Sequence, residues 1–522
     1  MTRTPHILWA DDEIDLLKPH IIFLQAKGYE VTGFTDGAAL LDALEGERIV
    51  DVVFLDENMP GLSGLETLQR IKERRPHLPC VMITKSEEEH IMEEAIGSKM
   101  ADYLIKPLNP NQILLSLKKI LDEKRLVGAK AMSDYQREFR ELGMRLMDRL
   151  GREDWEDIHK RLVHWDLELS ASGDQGMAEV LHMQRVDAGR QFAKYVKANY
   201  GQWLEDIDRC GDEEDPLLAP QVMSESVKPL LDQGRKTLFV LIDNFRYDQW
   251  RALGPALADQ WQVQSERMHW SFLPTATQYA RNAMFAGMTP SRIAQAFPQW
   301  WKDEQAKGSK NAHEADLLGA QLEKWGFSGK WGYHKITDVA AGRKLVEDFH
   351  LIKDRDFTAV VFNFVDMLSH ARTESEIIKE LAEDEGAYRS LTMSWFEHSP
   401  LKELLTLAAQ EGMELVLTSD HGTVQVDNPI KVQGEKEVTD NPRYKTGRNL
   451  RHDDDVFAVN DPEAFGLPKS HLSSRYIFAQ ERDFMVYPNN YNRFVRYLTG
   501  TFQHGGISME EMLVPLVHLS AR

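Results

Sequence analysis

The chain has 522 residues, is 42% hydrophobic and carries a formal net charge of -21. That length exceeds one core and calls for several domains of roughly 100 to 200 residues, while the negative charge opposes the basic footprint that duplex DNA binding needs. Two cysteines, Cys80 in an apolar run and Cys210 in a polar one, exclude a disulfide framework and a cysteine-based zinc site.

From His6 to about Glu123, short apolar runs such as HILWA, VDVVFL, CVMIT and DYLI alternate with amphipathic helical stretches, among them EEHIMEEAI. A repeated βα pattern predicts a parallel sheet with helices on both faces, whose strand ends gather on one carboxyl edge. Asp11 and Asp12 follow the first run, Asp56 follows VDVVFL, Thr84 ends CVMIT, and Lys106 follows DYLI. Three carboxylates on one edge repel one another unless a hard cation such as Mg2+ joins them. Acidic residues after strands are also ordinary helix caps, which Asp11 or Asp12 alone could be. Taken together, ADDE, FLDENMPG, MIT and LIKP resemble the motifs of response-regulator receiver domains over residues 1–123. The resemblance implies a flavodoxin-like α/β fold in which Asp56 accepts a phosphoryl group. It further implies that Asp11, Asp12 and Asp56 hold one magnesium ion with the backbone carbonyl of Asn58. Thr84 and Lys106 then bind the phosphate, Tyr103 is the aromatic switch residue, and the Lys106-Pro107 peptide is often cis.

Residues 124–224 read as a helical-bundle connector of about three helices, with turns at Gly151-Arg152 and Ser172-Gly173-Asp174. Trp155, Trp165 and Trp203 fall at helical spacing and read as core. The acidic, proline-containing segment GDEEDPLLAP at 211–220 reads as a linker.

Beyond it, KTLFVLIDN, TAVVFNFVDM and ELVLTSDHG are β-rich runs between long helical stretches, which predicts a larger α/β domain over 225–522. Each run delivers an acid to a strand end: Asp243, then Asp366 with His370 four residues on, then Asp420 with His421 beside it. An Asp-x-x-x-His pair alone also arises on a solvated helix. With His504 in FQHGG the set reaches three carboxylates and three imidazoles, enough ligands for two zinc-like ions. In FLPTATQYARNAMFAG, Thr275 and Thr277 precede a helical stretch, and one hydroxyl could face the metals while the other serves as an N-cap.

This set resembles the alkaline phosphatase superfamily, specifically its PglZ-type branch, and LPTATQYARNAMFAG resembles the nucleophile segment of the nucleotide pyrophosphatase/phosphodiesterase relatives. The resemblance implies that Thr277 is the catalytic nucleophile. Asp243, Asp420 and His421, with Thr277 itself, then hold one zinc, and Asp366, His370 and His504 hold the other. After the threonine, QYAR departs from the relatives; Arg281 either reaches a phosphate oxygen or lies on the surface, and Asn282 is a weaker candidate, better read as a backbone partner. The basic stretch from Lys431 to Arg451 is read as a loop; Lys431 and Arg448 are its candidates for guiding an anionic substrate, although a charge run is usually a solvated surface.

The order receiver, helical connector and PglZ-type domain resembles the PorX-like response regulators linked to type IX secretion and gliding. That family implies a partner histidine kinase, homodimerisation on phosphorylation, and contact with a secretion-machine component or sigma factor. It also implies zinc-dependent cleavage of phosphodiesters in cyclic or linear oligonucleotides. Two other readings stay open: a non-catalytic, phosphorylation-controlled binding module with structural zinc, and a sulfatase or phosphomutase activity on the same fold. A transcription factor is disfavoured by the charge and by the lack of a helix-turn-helix signal. The N-terminus lacks a secretion-signal pattern and no apolar run reaches membrane-spanning length, so the expectation is a cytoplasmic protein without a membrane span.

Overall fold

The computed structural model describes residues 4–44, 49–76, 78–84, 100–172, 175–205, 207, 215–304, 306–374, 382, 384–434, 439, 441–452, 456–469, 471 and 473–522. Cys210, the stretch EEHIMEEAI and the start of the acidic linker lie outside them. The chain divides into two compact units, Met1–Tyr135 and Gln136–Arg522, and the division falls within a helix at Pro110–Arg145.

The first unit holds β1 (His6–Ala10), β2 (Glu30–Phe34), β3 (Val52–Asp56), β4 (Cys80–Thr84) and β5 (Asp102–Ile105) in the order β2-β1-β3-β4-β5, all parallel. Both faces are buried, as helix-covered parallel sheets require. Leu8, Ala10, Val53, Leu55, Cys80 and Met82 pack on one face, and Ile7, Trp9, Val52, Phe54, Val81 and Ile83 on the other. Because all five strands run parallel, their carboxyl ends, and so Asp11, Asp56, Thr84 and Lys106, meet at the same edge. Gly64 is needed there: a Cβ would stand 2.3 Å from the backbone oxygen of Asp56.

The second unit is built on β6 (Thr237–Ile242), β7 (Trp261–Trp270), β8 (Trp331–Ile336), β9 (Phe357–Phe362), β10 (Glu414–Thr418) and β19 (Leu513–Ala521), in the order β7-β19-β10-β6-β9-β8. β10, β6, β9 and β8 are parallel; β19 runs antiparallel to β10, and β7 antiparallel to β19. Among the described residues, eight short strands lie between β10 and β19: β11 (Val424–Gln425), β12 (Asn428–Gln433), β13 (Tyr444–Gly447), β14 (Arg451–His452), β15 (Phe457–Val459), β16 (Arg475–Phe478), β17 (Asp483–Val486) and β18 (Phe502–Gln503). The basic segment read as a loop is therefore partly strand. Val432 and Tyr444 within it are buried, and that burial is what its charge pattern hid.

The helices Arg152–Ser172 and Gln175–Glu205 fall within the compact unit Gln136–Arg522. Trp270 of β7 packs against Trp203 at a ring separation of 5.2 Å and against Phe192 at 5.4 Å, and its Nε1 donates to Glu156 at 3.1 Å. Trp155, Trp165 and Trp203 are buried, in accord with their reading as core. Ion pairs fasten the same face: Arg185 to Glu385 (2.8 Å) and Glu510 (2.9 Å), and Arg389 to Asp166 (2.9 Å) and Asp248 (2.7 Å). Among the described residues no helix is long and apolar enough to cross a membrane.

His159 and His269 are enclosed in this unit, and burial pushes both down to about 4. Each resists protonation when folded and accepts it near pH 6.5 when unfolded. The stability they contribute is thus complete above about pH 6.5 and is lost as pH falls toward 4, on the order of 3 kcal/mol apiece. Melting temperatures measured between pH 7.5 and 4 are expected to fall over that window; a flat profile would show that both accept a proton in the folded state.

Candidate functional site

In the second unit the three central strands β10, β6 and β9 are neighbours, which is why their terminal acids converge. Asp243 directly follows β6, and its N–H donates to the last residue of β9, Phe362, at 2.9 Å. Asp366 and His370 lie one turn apart on the helix Phe364–Glu374 that follows β9. Asp420 and His421 follow β10, and His504 follows β18. The close turn after His421 is made by Gly422, where a Cβ would stand 2.0 Å from the backbone oxygen of Glu510.

Two donor groups result. Ligand atoms of Asp243, Asp420 and His421 lie within 4.8 Å of one another, as do those of Asp366, His370 and His504. The groups adjoin, because the rings of His421 and His504 stack at 4.3 Å. Each of these rings turns Nδ1 to a backbone carbonyl, His421 to Gly422 (3.1 Å) and His504 to Thr275 (3.0 Å). That contact fixes the tautomer with the proton on Nδ1 and leaves the Nε2 lone pair free for a cation. Asp420 Oδ2 is buried without a hydrogen-bond partner among the described residues. Burial and the charge of Asp243 push Asp420 up to about 8 and Asp366 up to about 6. Burial holds His421 and His504 down at about 4. A buried excess of carboxylate with neutral imidazoles is a donor set suited to divalent cations.

Thr277 opens the helix Thr277–Ala286, whose N-cap is Ala276 with no side-chain cap bond. Neither threonine is therefore the N-cap. Thr277 Oγ1 lies 3.2 Å from His421 Nε2 and 3.4 Å from Asp243 Oδ1. Thr275 is fully buried and braces the His504 loop, donating to Gly506 O (2.9 Å) and accepting from Gly505 N (3.0 Å).

Arg281 is neither on the surface nor turned outward. It is 1% exposed, with Nη1 on Asp243 Oδ2 (2.9 Å) and Nε on Glu314 (2.6 Å). The surface alternative is corrected: one turn beyond Thr277, Arg281 faces the same inward side and is drawn to the buried carboxylates. Asn282 donates to Lys310 O at 3.3 Å, and Asn311 bonds both Asn282 Oδ1 (3.1 Å) and Thr277 O (3.0 Å). Lys431 is exposed on β12 with Nζ 5.0 Å from the Tyr491 ring, and Arg448 is half-buried between β13 and β14. Neither is joined by a hydrogen bond or ion pair to the donor groups among the described residues. Sequence reasoning missed Glu314, Asn311 and Tyr333, since an isolated glutamate, asparagine or tyrosine carries no spacing signal.

At the edge of the first unit, donor atoms of Asp11, Asp12 and Asp56 also lie within 4.8 Å of one another. Lys106 Nζ bridges Asp11 (2.9 Å) and Asp56 (2.7 Å). Burial raises Asp56, with Lys106 opposing; Lys106 itself is raised, because its bonds to Asp56 and Asp11 outweigh burial. Asn58 approaches Asp56 through its N–H at 3.3 Å, the Thr84 hydroxyl donates to Glu57, and Tyr103 is exposed at the rim. The Lys106-Pro107 peptide is cis.

Comparison with known proteins assigns each part of the chain to a family. Residues 7–118 match the response regulator receiver domain and residues 125–204 the PorX response regulator linker domain. This is a response regulator whose second unit is alkaline phosphatase-like. Residues 222–519, more than half of the chain, match the BREX system PglZ alkaline phosphatase-like domain, and the chain belongs to that family. The order of the three parts is that of PorX-like response regulators. Among curated relatives, response regulator SaeR of Staphylococcus epidermidis is 29% identical over 116 residues, covering 22% of this chain and 50% of the relative. SaeR of Staphylococcus aureus is 28% identical over the same length and shares. The chain thus spans about half the length of the curated relatives it matches. Among solved structures, a CheY-like receiver domain protein from Methanospirillum hungatei is 26% identical, covering 23% of this chain and 96% of that one with a TM-score of 0.22. The response regulator DrrB of Thermotoga maritima is 29% identical, covering 23% and 54% with a TM-score of 0.22.

Proposed function

We propose that this response regulator is phosphorylated on Asp56 and that its second unit is a two-zinc phosphodiesterase acting on cyclic or linear oligonucleotides. The observation that carries the hydrolase reading is the junction of two three-donor groups at the stacked His421 and His504 rings, with Thr277 Oγ1 3.2 Å from His421. Asp243, Asp420 and His421 would hold one zinc and Asp366, His370 and His504 the other. Such a pair supplies positive charge for the transferring oxygens and lowers the pKa of a nearby hydroxyl.

Thr277 Oγ1 then forms the bond to phosphorus as the bond to the leaving alcohol breaks, and water later releases the phosphoryl group from the threonine. As the first residue of its helix, Thr277 sits where the helix dipole favours an anion, and Asn311 fixes its backbone carbonyl. The commitment of Arg281 to Asp243 and Glu314 favours a diester, whose single negative charge asks for fewer cationic contacts than a monoester does.

In the first unit, Asp11, Asp12, Asp56 and Asn58 would hold one magnesium ion. Phosphoryl transfer from a histidine kinase would move Lys106 and Thr84 onto the new phosphate and reset Tyr103, favouring a homodimer. The PorX-like order of domains supports a link to type IX secretion, through a secretion-machine component or sigma factor.

The test compares wild type and Asp56→Asn, each with and without a small phosphoryl donor, for zinc content, molecular mass and turnover of a panel of mono- and diesters. Two zinc ions per chain, preference for diesters, and a donor-dependent rise in mass in wild type alone are the expected results. Absence of turnover on every ester with zinc bound would favour a binding module.

A further inference from the structure

The two oxygens of Asp243 have different partners. Oδ1 faces the donor side, 3.4 Å from Thr277 Oγ1 and 3.8 Å from His421 Nε2, while Oδ2 is held by Arg281 Nη1 at 2.9 Å. Arg281 cannot swing away, because its Nε is held by Glu314 Oε1 at 2.6 Å. Glu314 is held in turn: Oε2 accepts from the Tyr333 hydroxyl and from Lys335 Nζ, the latter at 3.0 Å. Asp243, Arg281 and Glu314 are each 1% exposed, so water does not loosen the chain of contacts. Arg281 Nη1 also stands 3.7 Å from Asp420 Oδ2, the buried oxygen without a hydrogen-bond partner.

We propose that Arg281 and Glu314 are positioning residues that oblige Asp243 to present a single oxygen to the Asp243, Asp420 and His421 group, and thereby set that group's affinity for a divalent cation. The proposal rests on the zinc reading above. A carboxylate with both oxygens free can grip one cation with both; with Oδ2 on Arg281, only Oδ1 remains. The guanidinium suits the task because its planar fork grips two carboxylates at fixed angles, which an ammonium cannot do. Arg281 lies four residues beyond Thr277 on one helix face, so one rigid element positions both the hydroxyl and the carboxylate beside it. Contacts of this kind behind a metal ligand typically change metal affinity by about 10–100-fold.

The test measures zinc stoichiometry and affinity in the full chain by competition with a chromophoric chelator, for wild type, Arg281→Met, Arg281→Lys and Glu314→Gln. Circular dichroism reports folding. Wild type is expected to bind two zinc ions. In Arg281→Met and Glu314→Gln the affinity for one of them shifts by roughly tenfold or more while the other keeps its affinity, and Arg281→Lys reverses only part of the shift. Wild-type affinity for both ions in a folded Arg281→Met or Glu314→Gln variant overturns the proposal. Should Arg281→Met fail to fold, the isosteric Glu314→Gln decides alone. A wild-type chain that binds no zinc would instead sink the metal reading itself.

Discussion

Replacing Thr277 by valine is expected to lower phosphodiester turnover by roughly three orders of magnitude or more. Valine keeps the branched shape at the first position of the helix Thr277–Ala286 and removes only Oγ1, the atom 3.2 Å from His421 Nε2. The six carboxylate and imidazole donors are untouched, so zinc content should stay at the wild-type value. Thr277→Ser, which retains a hydroxyl, should keep measurable turnover. Thr275→Val offers the contrast: its hydroxyl braces Gly505 and Gly506, so its loss should loosen the His504 loop and lower stability first. Turnover and zinc content measured side by side separate the two threonines. Full activity in Thr277→Val would remove this residue from the mechanism.

Arg443→Met is expected to destabilise the second unit by roughly 3 to 5 kcal/mol. The Arg443–Glu511 pair is wholly buried, with Nη2 to Oε2 at 2.5 Å and Nε to Oε1 at 3.2 Å. Methionine leaves the Glu511 carboxylate in a dry interior with no countercharge. Glu511 also accepts from Gly506 N at 2.9 Å, and its Oε1 stands 3.4 Å from Thr275 Oγ1. The damage should therefore spread to the turn that carries His504 and weaken zinc binding there. Urea unfolding gives the readout, as a lowered midpoint. The double replacement Arg443→Met with Glu511→Leu should recover much of the loss, since it removes both charges together. An unchanged midpoint in the single variant would show that solvent reaches the pair.

Much of both sites could be read before any coordinates. Asp11, Asp56, Thr84 and Lys106, and likewise Asp243, Asp366 and Asp420, each follow or end an apolar β-rich run, and a parallel sheet brings such positions to one edge whatever the loop lengths. The three imidazoles were legible through their spacing: four residues after Asp366, next to Asp420, and inside FQHGG. The role of Arg281 was not legible, because a lone arginine after a candidate nucleophile reads equally well as a clamp or as a surface charge. Its direction was decided by Glu314, 33 residues away. The basic segment from Lys431 misled for a similar reason: its charges mask the alternation that buries Ile430 and Val432 in β12.

By itself, then, the sequence determined the order of domains, the α/β class of both sheets and the acids and imidazoles at their strand ends, because these depend on local periodicity and on the geometry common to all parallel strands. Only the tertiary structure decided which threonine faces the donors, where the arginine points, and which rings the helices after Arg152 pack against. Those outcomes depend on which distant carboxylate, carbonyl or aromatic ring a side chain meets, and contacts between residues far apart in the chain leave no periodic trace in it.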